Sequence, residues 1–145
     1  MSDVFATPPP TTNVESALDF LYNHYGISAS IDKLSSDRDL NFKVSSKEKT
    51  YVMKIANSSE DKNILQMQNN ALRYISSQDE SIEVPIPIES KHKKDITAIE
   101  SHNSKNYVRL LTYIEGDFLK DVKPNRIMLF SVGQFLGSLD NALIG

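Results

Sequence analysis

The stretch TYVMKIAN, residues 50 to 57, sets Lys54 between Met53 and Ile55 in a run that otherwise reads as a buried β-strand. Desolvating an ammonium costs several kcal/mol unless something anionic meets it, so Lys54 is either a solvent-facing residue on a half-exposed strand or the cationic end of a binding site. Strand alternation puts Val52, Lys54 and Ala56 on one face and Tyr51, Met53 and Ile55 on the other. The first face is a small apolar floor with one cation at its edge, which suits a flat aromatic base followed by phosphates. The second face reads as core beneath the helix that follows. A polar segment, SSDRDLNF from Ser35 to Phe42, carries hydroxyl, amide and backbone N–H donors at Ser35, Ser36 and Asn41, and a cation at Arg38. It contains no glycine and on its own is a polar hairpin turn; Asp37 and Asp39 would repel phosphate unless they point outward or cap the turn.

The elements that must hold these residues follow from periodicity. Three consecutive prolines in MSDVFATPPPTT forbid regular helix or strand, so residues 1–12 are expected to form an extended tail. Thr12 or Asn13 can cap a helix carrying Val14, Ala17, Leu18, Leu21, Tyr22 and Tyr25, which Gly26 stops. ISASIDKL, LNFKVSS and KTYVMKIA then alternate as an antiparallel meander. From Ser58 the period becomes helical. A helix over residues 60–77 carries Ile64, Gln68, Ala71, Leu72 and Ile75 on one face. VPIPIES is extended because of its prolines, and DITAIES with NYVRLLTYI reads as a hairpin around HNSKN. A last helix over residues 124–143 aligns Met128, Val132, Phe135, Leu136, Leu139 and Leu143, with Pro124 in its first turn.

Composition excludes several function classes. At 145 residues and 39% hydrophobic content the chain can bury one core, and a net charge of −3 gives no electrostatic case for nucleic acid or an anionic membrane surface. There is no cysteine, and His24, His92 and His102 lack ligand spacing, so zinc and thiol chemistry have no support and no metal ligands are expected in this chain. No apolar run approaches the roughly 18 residues of a membrane span, and the N-terminus lacks a signal-like pattern. A soluble cytoplasmic protein is expected.

YVMKI, a helix, VPIP and YVRLLTYIEGD, in that order and spacing, resemble the N-terminal lobe of the aminoglycoside phosphotransferase and choline kinase-like family, in particular its hydroxylysine kinase-like phosphotransferases. The resemblance covers roughly residues 14–145. It implies an α+β fold: a protein kinase-like N-lobe with a twisted antiparallel sheet of about five strands and a packed helix, plus the start of a helical C-lobe. It divides the chain into the tail (1–12), the lobe (13–116), and the hinge exit with the first C-lobe helix (117–145). By this likeness Lys54 holds the α- and β-phosphates of ATP, the Ser35–Phe42 turn covers them with Ser35, Ser36 and Asn41, and Val44 and Val52 belong to the nucleotide pocket. Leu111 lies at its back, and Thr112 and Ile114 meet adenine through backbone groups at the hinge.

The sequence departs from the family pattern in two places. A glutamate is expected on the helix after Lys54, yet ILQMQNNALRYIS has no acidic residue; Gln68, the polar member of the stripe, would stand there, with Asn70 the substitute if the register shifts by two. A glutamine accepts a hydrogen bond but brings no charge, which points toward weaker nucleotide binding or a pseudo-kinase. The family's catalytic aspartate, the asparagine after it and the magnesium-binding aspartate lie on the C-lobe, which is expected to follow Gly145. No catalytic residue is therefore assigned within the chain, and Mg ligands are expected on that lobe. Three functions remain open: the ATP-binding lobe of a kinase acting on a hydroxyl of an amino or amino-acid substrate; a non-catalytic kinase-like module, such as one fused ahead of a pyridoxal phosphate-dependent aminotransferase; and an unrelated α+β domain that binds no nucleotide.

Overall fold

A computed structural model describes residues 7–101 and 104–144, with the side chain of Ser101 excluded. Helix α1 (Val14–Tyr25) starts on Asn13, whose side-chain oxygen accepts from the Ser16 N–H at 2.8 Å. It stops at Gly26, which takes the left-handed conformation at φ 73° and donates to the Leu21 and Tyr22 carbonyls. Strands β1 (Ala29–Leu34), β2 (Leu40–Ser46) and β3 (Thr50–Ile55) form the expected meander. Helix α2 (Lys62–Gln78) follows, capped by Asp61. A two-residue strand β4 (Pro87–Ile88) and the hairpin of β5 (Thr97–Ser101) and β6 (Ser104–Thr112) complete a sheet ordered β1-β2-β3-β6-β4, with β5 also on β6. Among the described residues all pairings are antiparallel, and there are six strands rather than about five because the PIP segment adds β4. His102 and Asn103 of the expected turn, and residues 1–6 of the expected tail, lie outside the described residues.

The core lies on one face of the sheet. Phe42, Val44, Met53, Ile55, Val108 and Leu110 pack against Ala17, Phe20 and Leu21 of α1. Helix α1 therefore covers the Met53 and Ile55 face, and the expectation that the helix after Lys54 would do so is corrected. Helix α2 flanks the opposite face, where Leu65 packs with Ala56 and Ile96. Its buried residues are Leu65, Asn69 and Ile75, whereas Ile64 is 45% exposed. The first half of the stripe shifts by one position, about 100° of rotation, because the structure buries Leu65 and the polar Asn69 in place of Ile64 and Gln68, whereas Ile75 is buried as expected and Leu72 packs beside it.

After β6 the chain makes a 3-10 turn, Leu119–Asp121, and enters α3 (Arg126–Ile144). Asn125 caps α3 by accepting from the Met128 N–H at 2.9 Å, so Pro124 precedes the helix instead of opening it. Leu139 and Ala142 pack against Ile75, Ile82 and Val84, while Phe130, Phe135 and Leu136 stay exposed. At 19 residues and mean hydropathy 1.4, α3 is long and apolar enough to cross a membrane by length and composition, which corrects the expectation that no segment approaches that length. It also carries Gln134, Asp140 and Asn141.

Candidate functional site

A cleft of about 970 Å³ opens between the β1–β2 turn, the sheet, α2 and the segment after β6. Volumes of this size accommodate ligands as large as a nucleotide. Its floor comes from β3 and β6, whose ladder pairs Val52 with Leu111 and Lys54 with Arg109, so all four side chains leave the sheet on the same side. Ala71, Leu72, Pro85 and Phe118 add apolar walls. Among the described residues lining it, Lys33, Lys54, Arg109 and Lys120 are cationic and Asp121 is the carboxylate. An apolar slot bordered by several cations fits an aromatic ring carrying polyphosphate.

Lys54 is half-buried and, among the described residues, makes no hydrogen bond or ion pair. Burial pulls its pKa below the ordinary lysine value, the neighbouring Arg109 charge pulls further, and Asp39 opposes both. Asn41, opposite Lys54 on β2, also lines the cleft, and its Oδ1 is buried without a partner among the described residues. An unpaired ammonium beside an unpaired carbonyl oxygen is the polar surplus expected where a ligand completes the hydrogen bonding. This donor set fits a nucleotide. It contains no group of three His, Cys, Asp or Glu side chains for a metal ion among the described residues.

The other sequence-predicted residues divide. Ser35, Val52 and Leu111 line the cleft. Ser36 is exposed and outside the lining. Val44 is fully buried on the other face beneath α1, because it sits one position out of phase with Asn41 and Lys43 along β2; its assignment to the pocket is corrected. Thr112 and Ile114 line a smaller recess that shares Val52, Pro85 and Phe118 with the cleft. The Thr112 N–H donates to Ile86 O at 2.9 Å and its hydroxyl accepts from the Ile86 N–H at 2.9 Å. That donor is spent within the fold, so Thr112 cannot offer its N–H to a base. No hydrogen bond among the described residues engages the Ile114 backbone.

Gln68 borders the cleft, but its Oε1 accepts from Arg109 Nη2 at 2.9 Å. Asn69 Oδ1 accepts from Arg109 Nη1 at 3.0 Å. The α2 amides therefore hold an arginine, correcting the expectation that Gln68 partners Lys54. Asn70 is exposed and accepts from Gln66 at 3.1 Å. Arg38 turns away from phosphate duty to pair with Glu60 at 3.3 Å. Asp39 caps the Asn57 N–H at 3.1 Å.

Sequence reading missed Arg109, Lys33, Lys120 and Asn57. Asn57 is fully buried, and its Nδ2 donates to the carbonyls of Thr7, Pro8 and Arg38 at 3.1, 3.1 and 3.4 Å. It thereby ties the segment before α1 to the β1–β2 turn. The parity of NYVRLLT could have placed Arg109 with Leu111, but only ladder register puts it beside Lys54. Nothing local marks Asn57.

Over 92% of its length the chain is 27% identical to a hydroxylysine kinase of Xenopus laevis, and over 93% it is 24% identical to one of Danio rerio. Its fold matches a microcompartment-associated aminopropanol kinase with a TM-score of 0.74 at 14% identity, over 89% of this chain and 40% of that one. An amicoumacin kinase in complex with AMP-PNP and Ca2+ matches with a TM-score of 0.75 at 16% identity, over 90% of this chain and 40% of that one. The chain has the kinase-like N-lobe fold. A spectinomycin phosphotransferase, solved with ADP and spectinomycin, matches with a TM-score of 0.65 at 13% identity over 89% of the chain and 38% of that enzyme. The chain spans 39% and 40% of the two curated relatives it matches. No family model matches it.

Proposed function

We propose that the chain is the ATP-binding lobe of a small-molecule kinase that transfers the γ-phosphoryl group to a hydroxyl of an amino or amino-acid substrate. The observation that carries this reading is Lys54, a half-buried ammonium with no ion-pair partner among the described residues, at the edge of an apolar slot. Lys54 would hold phosphate oxygens, and Val52, Leu111 and Leu72 would enclose the base. Asn41 and Ser35 would donate or accept at the ribose or phosphates, and Ile114 would offer backbone groups at the hinge. The hydroxylysine kinase likeness supports an amino-acid alcohol as acceptor.

Phosphoryl transfer also requires a positioned hydroxyl, a carboxylate to orient or deprotonate it, and ligands for a divalent metal that neutralises the phosphates. In this reading those groups belong to a C-terminal lobe of the same gene product, Mg is the metal, residues 117–145 lead into that lobe, and the enzyme works in the cytoplasm. The exposed apolar residues of α3 support such a continuation. A non-catalytic nucleotide-binding module is the second reading, favoured by the commitment of both α2 amides to Arg109 in place of a carboxylate for Lys54.

The test compares the 145-residue chain with the gene product extended past Gly145. Each is incubated with ATP, magnesium and a panel of hydroxylysine, amino alcohols and aminoglycosides. Substrate-dependent ADP release by the longer protein, absent in its Lys54→Ala variant, is expected, and the short chain should be inactive. ATP binding without turnover by the longer protein would favour the non-catalytic module. Turnover by the short chain would overturn the division between lobes.

A further inference from the structure

Lys54 and Arg109 are Cα partners across the β3–β6 ladder, on the cleft face. Directly opposed residues have Cβ atoms about 5 Å apart, and like charges so placed destabilise the sheet unless an anion joins them. Here the guanidinium is fixed in place: Arg109 is 5% exposed, donating from Nη1 to Asn69 Oδ1 and to Leu65 O at 3.4 Å, and from Nη2 to Gln68 Oε1. All three acceptors are neutral. They orient the charge and do not cancel it.

The carboxylates that act on Arg109 are engaged elsewhere. Glu60 pairs with Arg38, and Asp39 caps the Asn57 N–H. Among the described residues neither Lys54 nor Arg109 has an ion-pair partner within 4.0 Å. A buried cation left with neutral acceptors is costly, and natural folds keep such an arrangement where a ligand repays the desolvation. Two adjacent cations need an anion with adjacent charges.

We propose that Arg109, clamped by Gln68 and Asn69, is a second phosphate-facing cation of the cleft, and that the Lys54 and Arg109 pair makes the site select ligands carrying two or more linked phosphates. The inference rests on the nucleotide reading above and deepens it. It assigns Gln68 as an arginine clamp. A carboxylate at position 68 would then pair with Arg109 and remove one positive charge from the site.

The experiment measures adenosine, AMP, ADP and ATP affinities by calorimetry for the full-length gene product and its Arg109→Met, Arg109→Lys and Gln68→Glu variants, with folding checked by circular dichroism. The wild type should prefer ADP to AMP by about tenfold or more, the worth of an added charge-assisted contact. Arg109→Met should lose most of that preference with adenosine affinity unchanged, and Arg109→Lys should retain part of it. Gln68→Glu should weaken ADP binding while raising the melting temperature. Should Arg109→Met fail to fold, Arg109→Lys and Gln68→Glu decide the outcome. A wild-type ADP to AMP ratio in folded variants, or tighter ADP binding by Gln68→Glu, would overturn the role of Arg109 and leave the nucleotide reading standing. A wild type that binds none of the four ligands would bring down both.

Discussion

On one face of the β3 and β6 pair, Met53, Ile55, Val108 and Leu110 are fully buried beneath α1. On the other, Val52, Lys54, Arg109 and Leu111 form the floor of an open cleft flanked by α2. The same two strands, read at alternate residues, build both. The core face is complete within the chain, since each apolar side chain meets others and needs nothing from outside. The cleft face is incomplete: it keeps two cations without an ion-pair partner, and an acceptor at Asn41 without a hydrogen-bond partner, among the described residues. One face satisfies every group within the fold, and the other leaves polar groups without ionic partners, the pattern commonly found at functional sites.

Four substitutions or conditions would break or sharpen that contrast. The largest effect belongs to the core face: Phe42→Ala should destabilise the fold by about 3–5 kcal/mol, read as a lowered denaturation midpoint. Loss of nucleotide affinity without loss of stability in that variant would refute the division of labour between faces. Lys54→Ala should do the reverse, lowering phosphoryl transfer by the full-length protein on the order of 100-fold or more while leaving the denaturation midpoint nearly unchanged or raised. Unchanged turnover would end the phosphate role of this lysine.

Asn57→Ala removes a buried tether outside both faces. It strips donors from three carbonyls and should cost about 1–3 kcal/mol. Proteolysis should then cut first near residues 7–12 or in the β1–β2 turn, and a uniform loss of protection would argue against a local tether.

The smallest effect is in pH dependence. Arg73 holds the Asp95 carboxylate with two bonds of 2.6 Å and lowers its pKa below the usual carboxylate range. A depressed carboxylate contributes stability above its unfolded pKa and loses it as pH falls through the folded value, so the contribution should fade on acidification below the usual carboxylate pKa. Lys54 gives a slope of the same sign in a higher pH window, although there it is the uncharged form that the fold favours. Its pKa is depressed by burial first, so the apo protein should gain stability as pH rises from the folded pKa toward the unfolded one. Bound polyphosphate should reduce or reverse that slope, because an adjacent anion favours the ammonium. Urea titrations with and without ADP across this alkaline range give the measurement; identical slopes would show that Lys54 does not meet the phosphates.

Much of the architecture was legible in the residues. Period-two alternation marks β1, β2 and β3, and the Asn13 and Gly26 signals bound α1. These features are local: a cap is decided within a turn of helix, and strand parity within a few residues. Lys54 stood out for the same reason, since an ammonium in an apolar strand is anomalous without any knowledge of its neighbours.

The partners of Lys54 were decided elsewhere. Parity puts Arg109 on one of two faces, but the antiparallel register between segments far apart in the sequence sets it opposite Lys54. The rotation of α2 could not be read from its apolar pattern, because Asn69 is buried for its bond to Arg109 and not for its hydrophobicity. The same long-range packing sends Val44 under α1 and commits the Thr112 N–H to Ile86. Sequence by itself determined which segments are strands and helices and which residue carries the conspicuous charge. Tertiary structure alone decided what that charge faces, because alternation fixes parity within an element, whereas register and helix rotation are set by contacts between residues distant in the chain.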